Sequence, residues 1–139
     1  MVHALSEVWR TLVPGGVLLD IRPYLPFRPL ELVTAPEARV LGRLDQADFD
    51  PGDPAADEAV AEVMRRHLFR LQETGWFYYS SYWDSVVEMR KYLHDWDDVA
   101  RLPRRLAGAA RSALRQAGPA ARLRLKTYVV VNVMRKAPG

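Results

Sequence analysis

Apolar positions first recur at Leu5, Val8, Trp9 and Leu12, the i, i+3, i+4, i+7 spacing of a helix with one buried stripe. Pro14-Gly15-Gly16 stops that helix, because proline cannot continue it and glycine accepts a left-handed turn. Val17-Leu18-Leu19-Asp20-Ile21 follows as a nearly unbroken apolar run between Gly16 and Pro23. Such a run predicts a strand buried on both faces and parallel to its neighbours. Helix, tight turn and buried strand make an αβ unit of a layered sandwich.

Pro23, Pro26 and Pro29 keep the next stretch extended and irregular. Leu30 to Thr34 and Ala38 to Leu44, with Pro36 between them, predict a hairpin. Residues 45–54 form an acidic loop with proline and glycine. Val60, Met64, Leu68 and Leu71 predict a helix over 57–73, closed by Gly75. The aromatic-rich run Trp76 to Trp83 suits a strand. Ser85 and Glu88 have capping-box spacing, so a helix should run from about Val86 to His94. Pro103 fits the first turn of a further helix that ends near Gly118-Pro119. Leu123, Leu125, Thr127, Val129, Val131 and Val133 then alternate with Arg122, Arg124 and Lys126, which predicts a long strand over 121–134, polar on one face at its start. The fold class is α/β in one domain. A small mixed sheet comes from strands near 17–22, 76–83 and 121–134, with packed helices and an extra β-hairpin near 30–44.

Composition narrows the chemistry. About half of the 139 residues are apolar and 27% are charged, a globular balance. No cysteine is present, which excludes disulfides, thiolate metal sites and a cysteine nucleophile. No apolar run reaches the about 20 residues that span a bilayer, and the first ten residues lack the pattern of a signal peptide. A cytoplasmic protein without membrane contact is expected. Charge is uneven: residues 1–98 hold 10 basic and 17 acidic side chains, whereas 99–139 hold 10 basic and none acidic. Arg101, Arg104, Arg105, Arg111 and Arg115, with Arg122, Arg124 and Lys126, form a basic region over 101–126. Nucleic-acid binding through that region is a weaker alternative than a solvated face, since no RNA-binding motif accompanies it.

His3-Ala-Leu-Ser-Glu-Val-Trp-Arg-Thr-Leu-Val-Pro-Gly-Gly-Val-Leu-Leu-Asp20 resembles a segment of class I S-adenosylmethionine-dependent methyltransferases. In that family a helix of the type A-L-x-E-x-x-R-x-L leads through P-G-G into the fifth strand. Ala4, Leu5, Glu7, Arg10, Leu12, Pro14, Gly15 and Gly16 occupy those places. Later parts are similar more loosely: the run from Trp83 to Met89, and the valine-rich final strand ending in Arg135-Lys136, resemble bacterial members. The resemblance implies a partial Rossmann-like methyltransferase sandwich, its C-terminal half, in which the last strand enters antiparallel between the fifth and sixth. It implies S-adenosylmethionine as cofactor and a small-molecule acceptor. The family's glycine-rich G-x-G-x-G turn after a first strand is absent from the sequence, so this chain alone is not expected to bind the cofactor. A truncated gene product or a stand-alone remnant fits that pattern. The missing N-terminal half, a second copy in a homodimer, or the hairpin at 30–44 is expected to cover the edge strand 17–22.

Asp20, Arg22 and Tyr24 stand at or just past the C-terminal end of the first strand, where open α/β sheets bind ligands. By resemblance they help wall the acceptor pocket; a salt-bridged loop anchor is the plainer role. Alternation sends Trp76, Tyr78 and Tyr82 to one face, and Phe77, Tyr79 and Trp83 to the other. Tyr79 and Trp83 are thus further substrate-side candidates, against core packing as the default. His3, His67 and His94 fall on three predicted helices without metal-ligand spacing, so no metal is expected. His94, near Asp95, Asp97 and Asp98, is a general-base candidate weighed against a surface helix end. Asp45, Asp48, Asp50 and Asp53 resemble a calcium loop only superficially, because Pro51 and Pro54 interrupt it.

Overall fold

The computed structural model describes residues 1–24, 28–46, 52–96 and 100–138. Its elements are α1 (Val2–Thr11), β1 (Val17–Tyr24), β2 (Pro29–Thr34), β3 (Glu37–Arg43), β4 (Asp45–Gln46), α2 (Gly52–Arg65), β5 (Phe69–Trp83), α3 (Val86–Trp96), β6 (Ala100–Arg101), α4 (Arg104–Ala117) and β7 (Arg122–Lys136). The protein is mixed α/β. Its main sheet pairs in the order β1–β7–β2–β3, and β5 also pairs with β7. The chain divides into two compact units, Met1–Arg22, Asp50–Phe77 and Val129–Gly139 in the first, Pro23–Phe49 and Tyr78–Tyr128 in the second.

In the first unit, Gly15 takes the left-handed conformation (φ +71°) that turns α1 into β1. β1 then runs antiparallel to β7: the Lys136 amide donates to Gly16 O (2.8 Å) and the Asn132 side chain reaches Asp20 (2.9 Å), so the contacts climb one strand as they descend the other. The expected parallel neighbours are therefore corrected. An apolar run reports burial but not the direction of the strand beside it. Burial on both faces is corrected too. Leu18 packs into the core with Val63, Phe69 and Met134, whereas Val17, Leu19 and Ile21 are 43%, 56% and 56% exposed. α1 and α2 supply the rest of this core through Val2, Leu5, Val8, Trp9, Val60 and Met64.

The helix expected over 57–73 covers 52–65 instead. His67 adopts φ +55° and stops it. The His67 amide bonds Met64 O (3.0 Å) and the Leu68 amide bonds Val63 O (3.0 Å), a Schellman closure in which Leu68 and Val63 share the core. Residues 69–73, helical by periodicity, belong to β5 because pairing along β7 outweighs local preference. Gly75 lies within that strand and closes nothing.

In the second unit the hairpin forms as expected, β2 pairing antiparallel with β3 from Pro29↔Arg43 to Thr34↔Glu37. β2 also lies antiparallel to β7, Leu30 opposite Leu125 and Leu32 opposite Leu123. These four leucines join Trp83, Met89, Leu93, Ala107 and Ala110 in one core beneath α3 and α4. The Ser85 side of the capping box at α3 is formed, the Glu88 amide donating to Ser85 Oγ (3.2 Å), while Glu88 Oε2 accepts from the Asp84 amide (3.1 Å), one residue before the cap. Gly42 lets α4 come close, since a Cβ there would meet Leu106 Cδ1 at 2.8 Å. Asp45 and Gln46, expected in a loop, pair with Arg101 and Ala100. Residues 47–51 of that loop, including Asp48 and Asp50, lie outside the described residues, and residues 52–54 belong to α2.

Burial along β5 sets a testable contrast. Phe69 is 2% exposed and Phe77 is 48% exposed. Phe69→Ala should cost about 3–5 kcal/mol in urea unfolding, while Phe77→Ala should leave the midpoint nearly unchanged. Equal effects would contradict this packing.

Candidate functional site

Two polar rows cross the sheet, one in each unit. In the first unit, alternation along β1 places Leu18, Asp20 and Arg22 toward the core side. Arg22 Nε donates to Asp20 Oδ1 (2.9 Å) and Oδ2 (3.1 Å), and its Nη1 donates to Asp57 Oδ1 on α2 (2.6 Å). Asn132 Nδ2 of β7 donates to Asp20 Oδ2 (2.9 Å), and Thr74 Oγ1 of β5 donates to Asn132 Oδ1 (2.9 Å). Burial works against the Arg22 charge, but the hydrogen bonds it donates to Asp20 and Asp57 outweigh it and hold its pKa above the ordinary value. One guanidinium shared between two carboxylates is a firm anchor for the end of β1.

Of the substrate-side candidates, Asp20 and Arg22 are thus brought together. Tyr24 ends β1, and its side chain lies outside the described residues. Tyr79, half exposed, and Trp83 belong to the second unit. Trp83 is a core residue, 8% exposed, with its ring 5.2 Å from that of Tyr92. That is the core packing expected by default of a strand tryptophan on the covered face.

In the second unit Glu31 of β2 is opposite Arg124 of β7. Arg124 Nε donates to Glu31 Oε2 (2.6 Å), and Lys126 Nζ lies 3.5 Å from Glu31 Oε1. Lys126 also sits over the Tyr78 ring at 4.8 Å, and Tyr78 meets Tyr128 at 5.8 Å between centroids. Arg122 lies over the Tyr82 ring (5.5 Å) and donates to Asp84 Oδ1 (2.6 Å). Within the basic region over 101–126, Arg122, Arg124 and Lys126 are each engaged by a carboxylate of the same unit. Glu31 escaped sequence reading. Its signal was a lone acid between Leu30 and Leu32, a polar tooth on a strand whose neighbours point the other way.

Tyr82 is tuned by this row. A hydrogen bond from Arg124 lowers its pKa below the usual tyrosine range; Ser80 and the Arg124 charge add to this, while desolvation and Glu31 oppose it. The histidines form no comparable site. His94 Nδ1 lies 2.9 Å from Asp95 on an exposed surface, and His67 stands at the helix end rather than on the helix. Among the described residues no His, Asp and Glu group could hold a metal. Two open depressions, of about 220 Å³ beside α1 and α2 and about 300 Å³ beside β2 and β3, are lined by none of the five candidates. No protein-family model, curated protein or solved structure matches the chain.

An alkaline absorbance titration checks the Tyr82 environment. One tyrosine should ionise below the others, Tyr82→Phe should remove that step, and Arg124→Gln should move it up toward about 10. Because the native pKa is the lower one, phenolate formation stabilises the fold at alkaline pH. That contribution is lost as pH falls through the native pKa, so neutral stability should not depend on it. A titration unchanged by Arg124→Gln would refute the assignment.

Proposed function

We propose that this chain is the closing, acceptor-side part of a class I methyltransferase-like fold and that the cofactor grip comes from a glycine-rich half outside these residues. One observation carries the reading. In the first unit α1 feeds β1 through Pro14-Gly15-Gly16, α2 leads directly into β5, and β7 lies between β1 and β5. β7 runs against both. The side-chain contacts Thr74–Asn132, Tyr78–Tyr128 and Tyr82–Arg124 descend β7 as β5 ascends. That is the order the resemblance implies for the fifth, seventh and sixth strands. The chemistry would be methyl transfer from S-adenosylmethionine, with the anchored Asp20–Arg22 pair bordering the acceptor. A cytoplasmic setting accompanies the reading, and no helix among the described residues is long and apolar enough to cross a membrane.

Calorimetric titration with S-adenosylmethionine tests the division of labour. The chain alone should give no binding heat at micromolar cofactor. Micromolar binding would overturn the reading, since the cofactor site would then lie within these residues.

A second reading rests on Val17, Leu19 and Ile21, which expose apolar surface on a strand with one partner strand among the described residues. In it the chain is a non-catalytic module that pairs β1 with β1 of a second copy across a two-fold axis. Sedimentation should then show a monomer–dimer equilibrium that Leu19→Lys shifts to monomer. A strictly monomeric profile at all concentrations would exclude it.

A further inference from the structure

Several arginines of this chain are neutralised where they stand. Arg10 pairs with Glu7, Arg22 with Asp20 and Asp57, Arg65 and Arg66 with Glu62, Arg122 with Asp84, and Arg124 with Glu31. Helix α4 gathers four others on one element. Arg104, Arg105, Arg111 and Arg115 are all exposed, and no ion pair engages them among the described residues. Arg111 and Arg115 bond only within the helix, to Ala107 O (3.3 Å) and Ser112 Oγ (3.3 Å). No acidic residue occurs anywhere from 99 to 139 to relieve them.

Helical spacing gathers these charges. At 100° per residue, positions 104, 111 and 115 fall within about 40° of one another, with Arg105 on the flank. Leu106, Ala110 and Ala113 take the opposite side, Ala107 borders the row, and all four are buried in the core of the second unit. Arg104 and Arg105 also occupy the first turn, where the helix dipole disfavours a cation, and no side chain caps that end. Repulsion among four guanidinium groups and the unfavourable dipole would both be relieved by an anionic partner.

We propose that the exposed face of α4 binds the phosphate backbone of a nucleic-acid duplex, without base specificity. From Arg104 to Arg115 the helix rises about 16 Å, close to five steps of a strand at 3.4 Å each. Guanidinium groups hold phosphate oxygens bidentately. An anionic membrane fits less well. A surface-lying helix needs an apolar face to insert, and that of α4 is already spent on Leu106, Ala107, Ala110 and Ala113. The interaction is independent of the methyltransferase reading.

The test uses the full chain and a fluorescein-labelled 20-base-pair DNA duplex of mixed sequence in an anisotropy titration. Binding should appear at 50 mM salt and weaken with a slope of log K on log salt of about −3 to −4, as four phosphate contacts require. Replacing all four arginines by Gln should weaken binding at least about tenfold and flatten the slope. Replacing them by Lys should keep most of the affinity, which separates lost charge from lost folding. Absent binding at 50 mM salt would overturn the proposal. So would a Gln set as tight as the parent, or binding to phosphatidylserine vesicles without binding to the duplex.

Discussion

Strand β7 is the constraint on which the sheet depends. β1, β2 and β5 each find their partner in it. It is fifteen residues long, and buried positions alternate along it from Leu123 to Val129. That alternation makes Leu123, Leu125 and Thr127 interior in the second unit, while Met134 enters the core of the first. Slipping β7 by one residue would send Leu123 and Leu125 outward and bring Arg122 and Arg124 into the core, a cost no local gain could offset.

The same strand supplies the middle member of both polar rows. Asn132 stands between Asp20 and Thr74, and Arg124 stands between Glu31 and Tyr82. The two rows differ in weight. Glu31 and Arg124 have side chains only 9% and 17% exposed, so removing one strands the other's charge, at a cost of order 3–5 kcal/mol. The Arg22–Asp57 arm reaches an acid that is 74% exposed and contributes little by comparison. The buried row therefore fixes the register of β2 against β7, and the exposed arm mainly orients Arg22.

Satisfied polar groups and unsatisfied surfaces together direct the functional reading. Arg22, Arg122, Arg124 and Lys126 look inviting as isolated cations but are consumed by internal carboxylates. Two surfaces among the described residues stand out beside them, the apolar side of β1 and the arginine ridge of α4. The first fits a strand awaiting a neighbour, and the second fits a polyanion. Neither use competes with the other for residues.

The sequence by itself determined what short-range physics controls. The stripe of α1, the Pro14-Gly15-Gly16 turn, the hairpin around Pro36, the capping box of Ser85 and Glu88, and the alternation of the last strand were all legible. Each is decided by residues within a turn or two. Tertiary structure alone decided that residues 69–73 are strand rather than helix, that β1 runs antiparallel to its neighbour, and that Trp83 faces the core. It also chose which arginines are neutralised: Glu31 and Arg124 meet across 93 residues. Pairing of distant strands is settled by the summed hydrogen bonds and burial of the whole sheet, and no local window of the chain holds that sum.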